Sequence, residues 1–282
     1  MRTIPPAMDK SIVGRIDAQL LAIQRDHNIY IPLAIESGSR AWGFPSPDSD
    51  YDCRFIFVRS MDDYLSLFPK ADTIELPLDG DVDVNGWDLV KSIRLLLKGN
   101  AVAIEWLTSP IVYIADESFR EAYLALARSV ASRERIASHY LHLGERQRRA
   151  YFADDKEIKL KKLFYALRPA AALRWLRLHP NEAVAPMHFP TLMRECDPPA
   201  DVNIFVADLI AKKAVTNELG SAPVPPVISG FIDSEFLLAR DLFSNQLLRS
   251  IKEQERRPMD SSGPRLRNTR HRLPKGNWDE RS

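Results

Sequence analysis

Hydrophobic residues change their spacing about 110 residues into the chain, and this change predicts two structural parts. Over Lys10–His27 apolar residues recur every three or four positions, which predicts an amphipathic helix. The apolar runs that follow are short and rich in β-branched and aromatic residues, as is typical of strands. These predicted strands cover residues 31–35, 53–58, 74–76 and 82–84. A short helix near residues 62–68 and a helix capped by Asp88 complete the first part.

After about Ser109 the chain becomes rich in Ala, Leu, Arg and Glu and poor in glycine, which favours helices. The predicted helices cover residues 117–129, 133–151, 158–178, 202–219 and 234–250. Breaks are expected at His179-Pro180 and at residues 223–226, where prolines interrupt the pattern.

The alternation of helix and strand followed by helices alone predicts an α+β protein. We expect a small mixed β-sheet domain in residues 1–115 and an α-helical domain in residues 116–255. Beyond Arg256 apolar periodicity stops and basic residues gather among Pro, Gly, Ser and Asn, which predicts a disordered basic tail over residues 256–282.

Composition narrows the classes of function. The 282 residues are 45% hydrophobic and 27% charged with a net charge of +1, so overall charge does not attract the chain to nucleic acid. Two cysteines, Cys53 and Cys196, form neither a disulfide framework nor a Cys-x-x-Cys pair, which favours a reducing cytoplasm. The amino terminus lacks the apolar core of a signal peptide, and no segment predicts membrane insertion.

The candidate chemistry begins where the first predicted strand ends. A glycine turn at Gly38-Ser39 follows this strand, and Asp50 and Asp52 precede the next apolar run. Residues two apart in a strand share a face, with Cα atoms about 6–7 Å apart, so both carboxylates can bind one metal ion. Mg²⁺ prefers such oxygen ligands and completes its octahedron with water and phosphate. The combination predicts Mg²⁺- or Mn²⁺-dependent chemistry on a nucleoside triphosphate.

A third carboxylate on a neighbouring strand would complete a two-metal site, with the ions about 3.5–4 Å apart. Asp83 is the first candidate because it stands between Val82 and Val84 in a predicted strand. Asp88, slightly further along the chain, is the alternative metal ligand. The sequence leaves both candidates open.

The glycine turn supplies the candidate phosphate ligands. Backbone amides at Gly38 and the hydroxyl of Ser39 can donate hydrogen bonds to the β- and γ-phosphates. Arg40 adds positive charge at the same place, although an exposed arginine more often faces solvent.

Six segments extend the pattern of the glycine turn and the two acids: Gly38-Ser39-Arg40-Ala41-Trp42-Gly43, Ser49-Asp50-Tyr51-Asp52, Gly86-Trp87-Asp88-Leu89, Glu105-Trp106-Leu107, Ser109-Pro110-Ile111-Val112-Tyr113 and Phe164-Tyr165-Ala166-Leu167-Arg168-Pro169. Together they resemble the DNA polymerase β-type nucleotidyltransferase superfamily, and more narrowly the bacterial and phage proteins described as an RNA repair pathway polymerase β family. The resemblance covers about residues 31–178. It implies a polymerase β palm-like sheet domain, two-metal nucleotidyl transfer and a helical partner domain. It raises the expectation that Lys161, Lys162 and Arg168 bind the triphosphate from the second domain.

The leading hypothesis is transfer of a nucleoside monophosphate from an NTP such as ATP to a hydroxyl, with pyrophosphate released. Asp50, Asp52 and Asp83 would be the catalytic acids. An RNA end is the candidate acceptor, because it fits the RNA-repair description and the basic tail. A small molecule or a protein side chain fits the near-neutral charge. The alternatives are a nucleotide- or nucleic-acid-binding module without turnover and a metal-dependent phosphodiesterase that uses water as the nucleophile.

Overall fold

A computed structural model describes residues 1–152 and 157–244 of the chain, and these residues fall within one compact unit. The α-helices in this part are α1 (Lys10–His27), α2 (Gly38–Trp42), α3 (Met61–Leu65), α4 (Leu89–Leu97), α5 (Ala101–Thr108), α6 (Glu117–Val130), α7 (Arg133–Tyr151), α8 (Phe164–Leu178), α9 (Phe189–Cys196), α10 (Ala200–Val215) and α11 (Pro226–Ala239). The strands are β1 (Tyr30–Glu36), β2 (Tyr51–Val58), β3 (Thr73–Glu75), β4 (Val82–Asp88), β5 (Val112–Ala115), β6 (Ile158–Lys159) and β7 (Ser221–Ala222). A 3₁₀ turn (Leu160–Leu163) precedes α8, and a π-helical turn (Arg240–Ser244) follows α11.

The main sheet is mixed and has the strand order β3-β4-β2-β1-β5. Strands β2 and β4 run parallel, whereas the other neighbouring strands of this sheet are antiparallel. In the parallel pair, Asp52 lies opposite Asp83 and Phe57 lies opposite Asp88. The register therefore separates the two candidate third acids by five positions along β4.

Each face of the main sheet has its own apolar core. Alternating residues of β2 such as Cys53 and Phe55 pack with α1 on one face. On the other face, Ile56 packs with the large core formed by α5, α7, α8 and the helices after them. Because side chains alternate along a strand, Asp52 and Arg54 project to the same face as Ile56. The candidate acids thus lie on the face that the helices cover.

The structure confirms the predicted α+β class with a mixed sheet, and α1 has its predicted bounds. The predicted boundary between residues 115 and 116 stays a prediction. The predicted tail at residues 256–282, like residues 245–250 of the last predicted helix, lies outside the described residues. Within the described part, no helix is both long enough and apolar enough to cross a membrane.

Several elements differ from prediction for identifiable reasons. Helix α5 was not predicted because its residues are almost all apolar, which leaves no helical period to detect. The predicted helix at 158–178 begins only at Phe164, since residues 158–159 pair with β7 instead. Helices α9 and α11 carry proline at a first-turn position, where proline starts a helix and does not interrupt it.

Candidate active site

A cleft of about 500 Å³ lies between the end of the main sheet and the helices of the second half. Its lining combines the predicted glycine turn and acids with side chains more than 100 residues further along the chain. Phe44, which follows α2, stacks on Phe164 at the start of α8 with ring centroids 4.1 Å apart. This stack joins the phosphate-turn segment to the helical part and forms a wall of the cleft.

The carboxylate of Asp52 lies directly against the backbone of Gly38. A Cβ atom built on Gly38 would overlap Asp52 Oδ2, and Gly38 has φ of +57°, a conformation that favours glycine. The backbone N–H of Ser37 also donates to the carbonyl of Asp52 over 2.8 Å. The glycine turn and the Asp-x-Asp segment, separated in sequence, therefore form one unit in which the turn requires a residue without a side chain.

A buried carboxylate that was not predicted from the sequence, that of Glu36, accepts a hydrogen bond from the backbone of Asp52. Glu36, the last residue of β1, is fully buried and accepts hydrogen bonds from the Asp52 backbone N–H (2.8 Å) and the Tyr113 hydroxyl (2.5 Å). Burial raises the pKa of Glu36 to about 7 and also raises the pKa of Asp52. In the sequence, Glu36 stands out only because it is an acid that directly follows the buried strand residues 31–35.

Arg54 connects Asp52 to Asp83. One terminal nitrogen of its guanidinium, Nη2, lies 3.0 Å from Asp52 Oδ1 and 2.7 Å from Asp83 Oδ2. The other, Nη1, donates to the backbone carbonyl of Asp83 over 3.0 Å. The strand register thus brings Asp83 beside Asp52, and an arginine side chain bridges the two carboxylates.

Asp88 lies away from this group and has a different set of partners. It caps α4 by accepting from the backbone N–H of Val90 over 2.8 Å, and it accepts from the Tyr64 hydroxyl over 3.1 Å. It is 5% exposed and lies 3.8 Å from Arg59. These contacts describe a buried helix cap.

The predicted phosphate ligands Ser39 and Arg40 differ in where they point. Ser39 lines the cleft and its hydroxyl donates to that of Ser49 over 2.9 Å. Arg40 donates instead to the backbone carbonyls of Ser49 and Asp50 and stacks on the Tyr51 ring, with Cζ 3.8 Å from the ring centroid. Arg40 therefore holds the Ser49-Asp50 segment in position.

Three lysines from the second half of the chain also line the cleft. Lys161 and Lys162, both predicted from the sequence, lie in the 3₁₀ turn before α8. The third, Lys213 of α10, was missed; its Nζ donates to the carbonyl of Phe44 over 2.7 Å, and it is only 7% exposed. Burial lowers the pKa of Lys213 to about 8. A signal existed, because Lys213 continues the buried stripe of Val202, Val206 and Leu209 at helical spacing.

Arg168, the remaining predicted triphosphate ligand, is not part of the cleft lining. It is 9% exposed, pairs with Glu105 over 2.9 Å, and stacks on the face of Trp42 with Cζ 3.8 Å from the ring centroid. Its pairing with a buried carboxylate accounts for its burial, since an unpaired buried charge is costly.

The acids fit a divalent cation in part. Asp50 and Asp52 bring hard oxygen donors to a cleft that also presents cationic side chains, and Mg²⁺ commonly takes its other ligands from phosphate and water. In the described part of the chain, however, no three acidic, histidine or cysteine residues stand at metal-binding spacing. Asp83, the candidate third acid, is paired instead with the guanidinium of Arg54, which also pairs with Asp52.

Comparison with known proteins identifies the family. Residues 12–261 match the RNA repair pathway DNA polymerase beta family. The chain belongs to this family. The match confirms the resemblance to this family that the sequence shows.

Two further comparisons each match most of the length of the chain. The uncharacterized protein YcgL of Bacillus subtilis (strain 168) is 37% identical over 221 residues, which are 78% of this chain and 84% of YcgL. A solved structure of a nucleotidyltransferase-like protein from Exiguobacterium sibiricum 255-15 is 10% identical. Its match covers 86% of this chain and 81% of that one, with a TM-score of 0.32.

Proposed function

We propose that this member of the RNA repair pathway DNA polymerase beta family transfers a nucleoside monophosphate from an NTP to a hydroxyl group and releases pyrophosphate. The observation that carries the proposal is the contact between the Asp52 carboxylate and Gly38, in a cleft that Asp50 and three lysines also line. This arrangement sets oxygen ligands for a cation beside cationic ligands for phosphate, as transfer from a triphosphate requires.

In the proposed reaction the acceptor oxygen bonds to the α-phosphorus, and the bond from that phosphorus to the bridging oxygen breaks. Pyrophosphate leaves, and the acceptor's proton passes to solvent. Mg²⁺ or Mn²⁺ held by Asp50 and Asp52, with Asp83 as the proposed third acid, would lower the pKa of the acceptor hydroxyl and stabilise charge on the leaving group. Ser39 and the lysines Lys161, Lys162 and Lys213 would orient the β- and γ-phosphates through hydrogen bonds and charge.

An RNA end is the acceptor we propose first. The family description supports it, because it names an RNA repair pathway. The near-neutral net charge means that any attraction to RNA comes from local basic groups, and such binding weakens steeply as salt rises. An acceptor panel for transfer assays therefore begins with RNA oligonucleotides that carry a free 3′-hydroxyl.

Binding of a nonhydrolysable NTP, measured by calorimetry with and without Mg²⁺, tests the site. We expect Mg²⁺ to strengthen binding to the wild-type protein, and we expect this gain to disappear in Asp50→Asn and Asp52→Asn. Asp62→Asn, which changes an exposed carboxylate on α3, is the matched control and retains the gain. Equal metal dependence in all four proteins would remove Asp50 and Asp52 from the metal site.

Alanine substitutions at Asp83 and Asp88 separate the two candidates for the third acid. In Asp83→Ala we expect Mn²⁺ binding in the presence of the NTP analogue to weaken by about tenfold, because a carboxylate beside Asp52 is lost. In Asp88→Ala we expect unchanged Mn²⁺ binding and a free energy of unfolding lower by about 1–2 kcal/mol, because a buried helix cap is lost. Paramagnetic resonance and thermal unfolding measure the two effects. The opposite pattern would make Asp88 the metal ligand.

The pH dependence of phosphate binding tests Lys213. Its lowered pKa of about 8 means that the charged ammonium dominates below pH 8 and the neutral amine above it. Affinity for inorganic tripolyphosphate should therefore fall as pH rises through 8 in the wild type. Lys213→Arg keeps its charge, so we expect a smaller fall in that variant. The ligand titrates identically in both titrations, and equal pH profiles would mean that Lys213 does not contact phosphate.

A further inference from the structure

A second cavity of about 240 Å³, here called the inner cavity, lies behind the cleft among α2, α5, α7 and α8. Trp42 and Tyr165 line both the cleft and the inner cavity. Their rings meet edge to face with centroids 6.3 Å apart. A pair of aromatic rings is therefore shared by the phosphate-binding space and the inner cavity.

The inner cavity has apolar walls and one buried ion pair. Val102, Leu143 and Pro169 are among its apolar lining residues. Glu105 and Arg168, each about nine-tenths buried, supply the ion pair, with Oε1 of Glu105 2.9 Å from Arg168. The hydroxyl of Tyr140 donates to the same oxygen of Glu105 over 3.2 Å. Both contacts of Glu105 use Oε1, so Oε2 keeps its capacity to accept from a ligand.

Two nitrogen donors in the walls of the inner cavity lack a partner. Within the described residues, Trp42 Nε1 and Arg168 Nε are buried and have no hydrogen-bond acceptor. Such groups are exceptional in folded proteins, because an unsatisfied buried donor loses its hydration without compensation. The side chains that form the wall of the inner cavity thus include two unsatisfied donors that have almost no accessible surface in this structure.

We propose that the inner cavity binds the base of the nucleotide whose phosphates occupy the cleft. This inference rests on the proposed function, and it adds the site that recognises the nucleoside. A base has two apolar faces suited to walls such as Trp42 and Tyr165, with donors and acceptors confined to its edge. The cavity is smaller than a typical site for a whole small-molecule ligand, which fits a single ring system. Glu105 favours a base with an exocyclic amino group.

Filling the inner cavity tests the proposal. Val102→Trp places a large ring in the cavity, and Leu143→Phe fills it from α7 if the first variant does not fold. Val90→Trp adds the same ring to the exposed surface of α4 and is the matched control. The three variants and the wild type are titrated with ATP, adenosine and inorganic tripolyphosphate at one Mg²⁺ concentration, after thermal unfolding has confirmed that each is folded.

We expect cavity filling to weaken ATP binding by about tenfold or more, to weaken adenosine binding equally, and to leave tripolyphosphate binding unchanged. The control should match the wild type with all three ligands. ATP and adenosine affinities that the cavity-filling variants leave unchanged would overturn the proposal. Adenosine binding does not depend on the phosphate site. The wild type could instead bind adenosine but not tripolyphosphate, with adenosine binding lost when the cavity is filled. That result would support base binding in the inner cavity and would contradict the proposed nucleotidyl transfer.

Discussion

Gly38→Ala is expected to reduce nucleotidyl transfer by about 100-fold or more, because the new methyl group displaces the Asp52 carboxylate. Gly38 has φ of +57°, so alanine also costs about 1–2 kcal/mol of backbone strain at this position. Strain lowers stability, whereas displacement of Asp52 removes a proposed metal ligand. Pyrophosphate release measured together with thermal unfolding distinguishes the two effects.

Gly220→Ala is the matched control for Gly38→Ala. Gly220 has φ of +72°, yet a Cβ atom there meets no other atom within 4 Å. Both variants therefore carry similar backbone strain, and only Gly38→Ala forces a carboxylate to move. We expect Gly220→Ala to retain wild-type activity with a similar loss of stability. Equal activity in the two variants would contradict the coupling of the glycine turn to Asp52.

Glu105→Ala is expected to lower the free energy of unfolding by about 3–5 kcal/mol, the largest stability effect that we predict. Removing this carboxylate leaves the buried guanidinium of Arg168 without its partner and the Tyr140 hydroxyl without its acceptor. Chemical denaturation measures the change. We expect the double variant Glu105→Leu with Arg168→Met to recover most of the stability, since it removes both charges together.

An exposed ion pair provides the control for Glu105→Ala. Asp208 and Lys212 pair over 2.7 Å on α10, with both side chains more than half exposed. Such pairs at helical spacing contribute about 0.3–0.5 kcal/mol, so Asp208→Ala should change stability little. A similar loss in Glu105→Ala and Asp208→Ala would show that the buried pair contributes no more than a surface pair.

Local patterns in the sequence predict the elements that frame the site. Apolar spacing predicts α1 with its bounds, and the short β-branched runs predict β1, which ends just before Gly38, and β2, which begins beside Asp52. These features depend on neighbours in the chain, which a single sequence displays directly. The glycine turn beside the Asp-x-Asp segment could therefore be predicted as a unit.

Strand register and long-range packing determine the rest of the site. The sequence leaves Asp83 and Asp88 as alternatives, and only the pairing of β4 with β2 sets Asp83 beside Asp52. Arg54 is an ordinary strand residue in the sequence, and its bridge between two carboxylates depends on that same pairing. Lys213 reaches the cleft from α10, 169 residues after Phe44, whose carbonyl it contacts. Helical spacing indicates that Lys213 is buried, but it does not indicate which distant segment the side chain contacts.

Parallel incubations with α-labelled and γ-labelled NTP, Mg²⁺ and the acceptor panel test directly whether the protein transfers a nucleotide. We expect the α-label to become attached to an acceptor and the γ-label to appear in pyrophosphate, and we expect Asp52→Asn to abolish both. Free nucleoside monophosphate without labelled acceptor would indicate a phosphodiesterase. Nucleotide binding with no release of either label across the panel would indicate a binding module, and either result would contradict nucleotidyl transfer at Asp50 and Asp52.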